Sequence, residues 1–121
     1  FGITTKDEML KRITKAFDEF YDVSQKNEDE IASLSRNLKI DIAVDLMGFT
    51  EKNRFGIFTK NCAPIQINYL GYPGTSGSNH IDYIIADKKL ISDENQKYFS
   101  EKIIYLADTY QANDSKKKNI K

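Results

Sequence analysis

The chain has 121 residues, 40% of them hydrophobic and 30% charged, a composition that suits one globular domain or part of one. Lys and Arg together number 18, as do Asp and Glu, so no net field draws in nucleic acid or anionic lipid. No apolar run approaches the roughly 20 residues needed to span a bilayer, and neither a membrane nor a nucleic acid is expected as a partner.

The start, Phe1-Gly2-Ile3-Thr4, carries no initiating Met and no signal-peptide pattern, so the chain is expected to be a section of a longer protein. Thr5-x-x-Glu8 is a capping-box pattern ahead of apolar Leu10, Ile13, Phe17 and Phe20, and predicts a helix from Lys6 to Asp18. Phe20 to Val23 reads as a short strand. Asn27-x-x-Glu30 repeats the capping signal before Ile31, Leu34 and Leu38, giving a second helix that ends near Leu38. Ile40 to Leu46 is rich in β-branched residues and is bounded by Gly48, the pattern of a buried strand. A short helix is expected over Asn53 to Lys60. Cys62, the only cysteine, permits no internal disulfide and favours a reducing, cytoplasmic setting. Pro64 then punctuates, and Ile65 to Tyr69 is the next strand.

After a Gly/Ser loop, Tyr83 to Ala86 is a third strand. Ser92-x-x-Asn95 opens a helical turn to Phe99, and Lys102 to Leu106 is a fourth strand. Residues 109–121 are polar and expected to be irregular, with Lys116-Lys117-Lys118 a solvated charge run. Strands alternating with helical segments predict an α/β fold, a Rossmann-like parallel sheet with flanking helices. Residues 1–121 form a single partial domain in this reading. Right-handed crossovers then bring the ends of adjacent strands to one rim, with the Asp45 bend beside the glycine-bearing one.

Two strand-to-loop junctions could carry chemistry, because ligands of open α/β sheets sit at the carboxyl ends of strands. The first is Val44 to Thr50. Asp45, at the end of a buried strand, needs a hydrogen bond or a charge partner; it could cap a helix, orient a catalytic group or accept from a sugar hydroxyl. Gly48 suggests a close backbone approach or a positive φ, and Thr50 is expected to cap the next helix. The second junction is Gly71 to Gly77. Pro73-Gly74 is by itself a turn signal, and the functional reading turns the Thr75 and Ser76 hydroxyls and main-chain amides towards a ligand.

That loop is not a P-loop, since no Gly-Lys-Ser/Thr follows, and no helix opens on its last glycine as a dinucleotide fingerprint requires. His80 is the sole histidine, which rules out a Cys/His metal cluster and leaves no ordered Ser-His-Asp set. Asp41 and Asp45 share one face of a strand by their even spacing. No metal and no cofactor is expected.

Three ordered blocks now carry a resemblance. Ile40-Asp-Ile-Ala-Val-Asp-Leu-Met-Gly-Phe-Thr50, Ala63-Pro-Ile-Gln-Ile-Asn-Tyr-Leu-Gly-Tyr-Pro-Gly-Thr-Ser-Gly77 and Ile81-Asp-Tyr-Ile-Ile-Ala-Asp87 resemble the catalytic region of O-linked N-acetylglucosamine transferases, bacterial members above all. The plant SPINDLY proteins share the region, and Tyr98 to Leu106 and Asp108 to Asp114 continue the likeness in order. The resemblance implies an inverting, metal-independent GT-B glycosyltransferase, with tetratricopeptide repeats upstream, that moves a sugar onto Ser or Thr hydroxyls of acceptor proteins. UDP-GlcNAc is the default donor, and GDP-fucose the SPINDLY-like alternative. This section corresponds to the later part of the N-terminal catalytic lobe.

By the same resemblance, the donor nucleotide is held mainly by a C-terminal lobe that these residues do not include, and so is the lysine that meets the diphosphate. The catalytic residues fall outside the section, and His80 does not correspond to the family's histidine. Asp45, Gly48, Thr50, Pro73, Gly74, Thr75 and Ser76 are the expected substrate-binding residues. Met47 stands where relatives commonly carry a polar residue, and Phe49 where they carry Tyr, which puts sugar or acceptor choice in question. A rival reading from another class is a non-catalytic α/β interaction module. A different nucleotide-binding enzyme that uses the Gly/Ser loop for phosphate is a third.

Overall fold

In a computed structural model of the chain, residues 8–115 are described. The expected helix start at Lys6, its Thr5 cap and the run Lys116-Lys117-Lys118 lie outside them. Helix α1 runs Glu8–Ala16, helix α2 Glu28–Asn37, strand β1 Ile42–Asp45, helix α3 Gly56–Thr59, strand β2 Ile65–Asn68, strand β3 Tyr83–Ala86, a 3₁₀ helix Asp93–Tyr98 and strand β4 Lys102–Tyr105. No helix among these residues is long and apolar enough to cross a membrane.

Helix α2 has the predicted reciprocal cap: Asn27 Oδ1 accepts from the Glu30 N–H at 2.9 Å, and the Glu30 carboxylate accepts from the Asn27 N–H at 2.8 Å. It ends in a Schellman turn, with Lys39 at φ 55° and the N–H groups of Lys39 and Ile40 donating to Arg36 and Ser35. The predicted strand at Phe20 to Val23 does not form. No strand among the described residues pairs with it, and the Val23 carbonyl accepts instead from the Lys26 N–H and the Arg54 guanidinium.

The four strands are all parallel and lie side by side in chain order. Each right-handed crossover therefore steps in the same direction and returns over the same face. The register puts Ala43, Asp45, Gln66, Asn68, Ile84, Ala86, Ile103 and Tyr105 on that face. Two apolar clusters cover it, one of Ala32, Phe58, Cys62 and Ile81 with Ala43, Phe55 and Ile57, the other of Ile84, Ala86 and Ile91 with Phe99, Ile103 and Tyr105. On the opposite face, β1 leaves Ile42 and Val44 about half exposed.

Buried Gln66 joins the crossovers by main-chain bonds. Its Oε1 accepts from the N–H and Sγ of Cys62, its Nε2 donates to the carbonyls of Phe58 and His80, and its own N–H donates to Asp82 at 2.8 Å. Every polar atom of that side chain is matched, which is what a buried amide requires.

Candidate functional site

The C-terminal ends of β1 and β2 lie side by side, with Asp45 and Asn68 in register. Asp45 is buried, and its Oδ1 accepts from the Met47 N–H at 2.9 Å, so the carboxylate shapes the bend that follows its own strand. One oxygen so used leaves the carboxylate with acceptor capacity for another donor.

The two loops interlock. Gly48 sits at φ 55°, and a Cβ there would stand 2.5 Å from Tyr72 Cβ. Gly71 is as tight from the other side: a Cβ would stand 2.1 Å from the Leu46 carbonyl oxygen. Phe49 meets Tyr72 edge-on, 5.9 Å between ring centres, and packs on Phe55 at 4.9 Å. The glycine-bearing loop reaches this position through a sharp turn. Leu70 takes φ 72° and the Gly71 N–H donates to the Tyr69 carbonyl, a γ-turn of the rare positive-φ kind.

Thr50 does not cap α3. Its carbonyl closes a turn by accepting from the Asn53 N–H and side-chain amide, and the residue before α3 is Phe55, with no side-chain cap. The displaced Thr50 hydroxyl is buried without a partner among the described residues, as is Oδ1 of Asn68, whose amide donates to the Tyr72 carbonyl at 3.3 Å. Lys52 holds φ 60° in that same turn. A cavity of about 260 Å³ opens beside Asp45, lined by Leu46, Met47, Lys52, Arg54 and Phe58 among others. Arg54 is committed elsewhere, donating to the Val23 and Lys26 carbonyls.

Pro73 is exposed at the crest of the second loop, and Gly74 lies against the Tyr72 ring. Thr75 and Ser76 face inward rather than to the rim. The Thr75 hydroxyl donates to Glu101 Oε2 at 2.6 Å and accepts from the N–H groups of Gly77 and Ser100, while the Ser76 N–H and hydroxyl both donate to Glu101 Oε1. The structure thus brings Gly48 and Gly74 together on Tyr72, with Asp45 and Thr50 flanking Gly48 along the first loop, and ties Thr75 and Ser76 to Glu101. His80 stands apart at the N-terminal ends of the strands, its ring nitrogen 3.3 Å from Asn61 Oδ1. Among the described residues no cluster of His, Cys, Asp and Glu could hold a metal ion.

Tyr72 and Glu101 escape a reading of sequence. Tyr72 looks like one aromatic of a turn, although two adjacent glycine-rich bends are themselves a signal of close approach. Glu101 has a fainter one, an acidic residue directly before an apolar strand.

Residues 3–119 match the family described as Glycosyl transferase family 41. The chain is 38% identical over 112 residues to the probable UDP-N-acetylglucosamine–peptide N-acetylglucosaminyltransferase SEC of Arabidopsis thaliana, covering 93% of this chain and 12% of that protein. Against the SPINDLY protein of Hordeum vulgare, whose name gives the same activity, identity is 33% over 105 residues, 87% of this chain and 11% of the relative. A solved variant of the Thermobaculum terrenum O-GlcNAc transferase superposes with a TM-score of 0.82 at 27% identity, over 88% of this chain and 20% of that one.

Proposed function

This chain belongs to glycosyl transferase family 41, and on that premise we propose that it forms the later part of the N-terminal catalytic lobe of a protein O-glycosyltransferase. The whole enzyme moves GlcNAc from UDP-GlcNAc to Ser or Thr hydroxyls of acceptor proteins in the cytoplasm. One observation carries the placement of the site: the loops after β1 and β2 lock together at the carboxyl ends of parallel strands, through Gly71 on Leu46 and Tyr72 on Gly48.

The chemistry is an inverting displacement without a metal. The acceptor hydroxyl oxygen bonds to the anomeric carbon as that carbon's bond to the diphosphate oxygen breaks; the diphosphate leaves with the electron pair, and the hydroxyl proton passes to a base outside this section. Such a step needs two substrates held in line and a stabilised leaving group. The rim supplies the first need. Asp45 offers an unused acceptor and lines a cavity, and the Thr50 hydroxyl is buried without a partner among the described residues. Diphosphate charge is met by the C-terminal lobe in this reading.

The test is a titration of the chain with a Ser-containing acceptor peptide and with UDP-GlcNAc, read by amide NMR. Acceptor peptide should shift Asp45, Gly48 and Tyr72, and no sugar should be transferred by this section alone. Turnover by the isolated chain, or shifts confined to Asp41 and Pro64 at the other end of the strands, would overturn the assignment.

A further inference from the structure

Glu101 directly precedes β4 and is 4% exposed. A carboxylate so enclosed is costly unless donors surround it. Three donors do, and all come from two consecutive residues of the loop after β2: the Thr75 hydroxyl at 2.6 Å, the Ser76 N–H at 2.6 Å and the Ser76 hydroxyl. The contact has a second layer. Thr75 Oγ1 accepts from Gly77 and Ser100, and Ser76 Oγ accepts from the Ser78 N–H.

We propose that Glu101 is a positioning residue for the acceptor side of the cleft: through Thr75 and Ser76 it anchors the far end of the loop whose near end packs on the Asp45 bend. The inference rests on the reading of that rim as cleft-lining. Its physical basis is a loop fixed at two places. Gly71 is wedged on Leu46, Tyr72 lies on Gly48 and Phe49, and Gly74 closes on the Tyr72 ring. The Glu101 anchor begins at the very next residue, so the crest at Pro73 and Gly74 has no slack on either side. The β2-to-β3 connection contains no helix that could hold it instead.

The electrostatics agree with an ionised anchor. Burial pushes the Glu101 carboxyl upward, but the hydrogen bonds from Ser76 and Thr75 outweigh it and hold the group below its ordinary 4.5. The groups facing it are uncharged hydroxyl and amide donors, and the neighbouring charge, Lys102, is exposed.

Amide hydrogen exchange on this chain tests the proposal, comparing the parent with Glu101→Gln across the acid range. In the variant, Ser76 should lose about tenfold of its protection, the scale of one hydrogen bond to a charged acceptor. Tyr72 and Gly48 resonances should shift with it, while Ala32 in the core under α2 stays as it was. In the parent, the same loss should appear as pH falls below the ordinary glutamate range, and Glu101→Gln should show no such step. Equal protection of Ser76 in both chains would overturn the proposal, as would a parallel fall at Ala32.

Should Glu101→Gln fail to fold, Ser76→Ala takes its place, read at the Gly77 amide that donates to Thr75. With one donor gone, the acid step should move upward towards 4.5; an unmoved step would overturn the anchor. None of these readouts involves sugar or acceptor. An intact anchor with no acceptor-induced shift at the rim would retire the transferase placement alone.

Discussion

Thr50 and Thr75 both follow the end of a strand, one after β1 and the other after β2, and their hydroxyls fare differently. That of Thr50 is buried with no partner among the described residues, whereas that of Thr75 donates once and accepts twice. The carboxylates repeat the contrast. Asp45 takes one donor, a main-chain N–H, and lines a cavity, while Glu101 takes three, one main-chain N–H and two hydroxyls. Two loops that look equally suited to a ligand in sequence thus divide the work. Unspent polar capacity lies at the Asp45–Thr50 bend and at Asn68 beside Asp45, and the loop after β2 is the scaffold that presses against that bend.

The sharpest way to break that scaffold is at the wedge. Gly71→Ala puts a Cβ about where the Leu46 carbonyl oxygen stands, a backbone atom that cannot swing aside. Overpacking of this kind should cost about 3 kcal/mol, read as a lowered urea midpoint with an unchanged slope. Gly77→Ala is the control within the same loop. Its Cβ would meet nothing within 4 Å, so only the φ of 62° is penalised, by about 1 kcal/mol. Equal losses at the two glycines would mean that the interlock of the loops contributes nothing.

Next in size is Thr75→Val, which keeps the shape and strands the partners of one hydroxyl. Glu101 loses a donor and the Ser100 and Gly77 amides lose an acceptor, at a cost of about 2 kcal/mol. The same anchor sets part of the acid response. The Glu101 carboxyl is held below 4.5, and that of Asp87 below 3.8, where the N–H groups of Leu90, Tyr110 and Lys89 donate to it. A depressed carboxylate stabilises fully above its unfolded value, and the contribution fades as pH falls through the lower folded one. Thermal midpoints should therefore drop below pH 4.5 and continue to drop below 3.8, and Asp87→Asn should flatten the lower part of that fall.

How much of this was legible in sequence follows from how local each cause is. The parallel order, the Asn27 cap and the four strands depend on hydrophobic period and capping residues within a few positions, and they appear where expected. The Asp45 bend is local too, its bond reaching only to Met47. Phe20 to Val23 has the composition of a strand, but a strand also needs a partner edge, which no short window of sequence reveals. Thr50 has the chemistry of a cap, yet the turn closed by Asn53 intervenes before α3 begins. The Glu101 anchor joins residues 25 and 26 apart, so only the folded crossover brings donor and acceptor together. Sequence showed which residues are unusual, and the fold decided which of them still have a bond to give.

Thr50→Val tests the comparison from the other side, with the smallest effect and the opposite sign. The chemical change is that of Thr75→Val, but here the hydroxyl removed is buried and unmatched among the described residues, so its desolvation is relieved and none of them loses a partner. Stability should rise by about 1 kcal/mol, seen as a raised thermal midpoint, while acceptor peptide binding at the rim weakens. A gain in stability with a loss in binding is what a polar group kept for a ligand predicts. A loss in stability equal to that of Thr75→Val would mean that the Thr50 hydroxyl already has a partner, and the division between the two loops would fall.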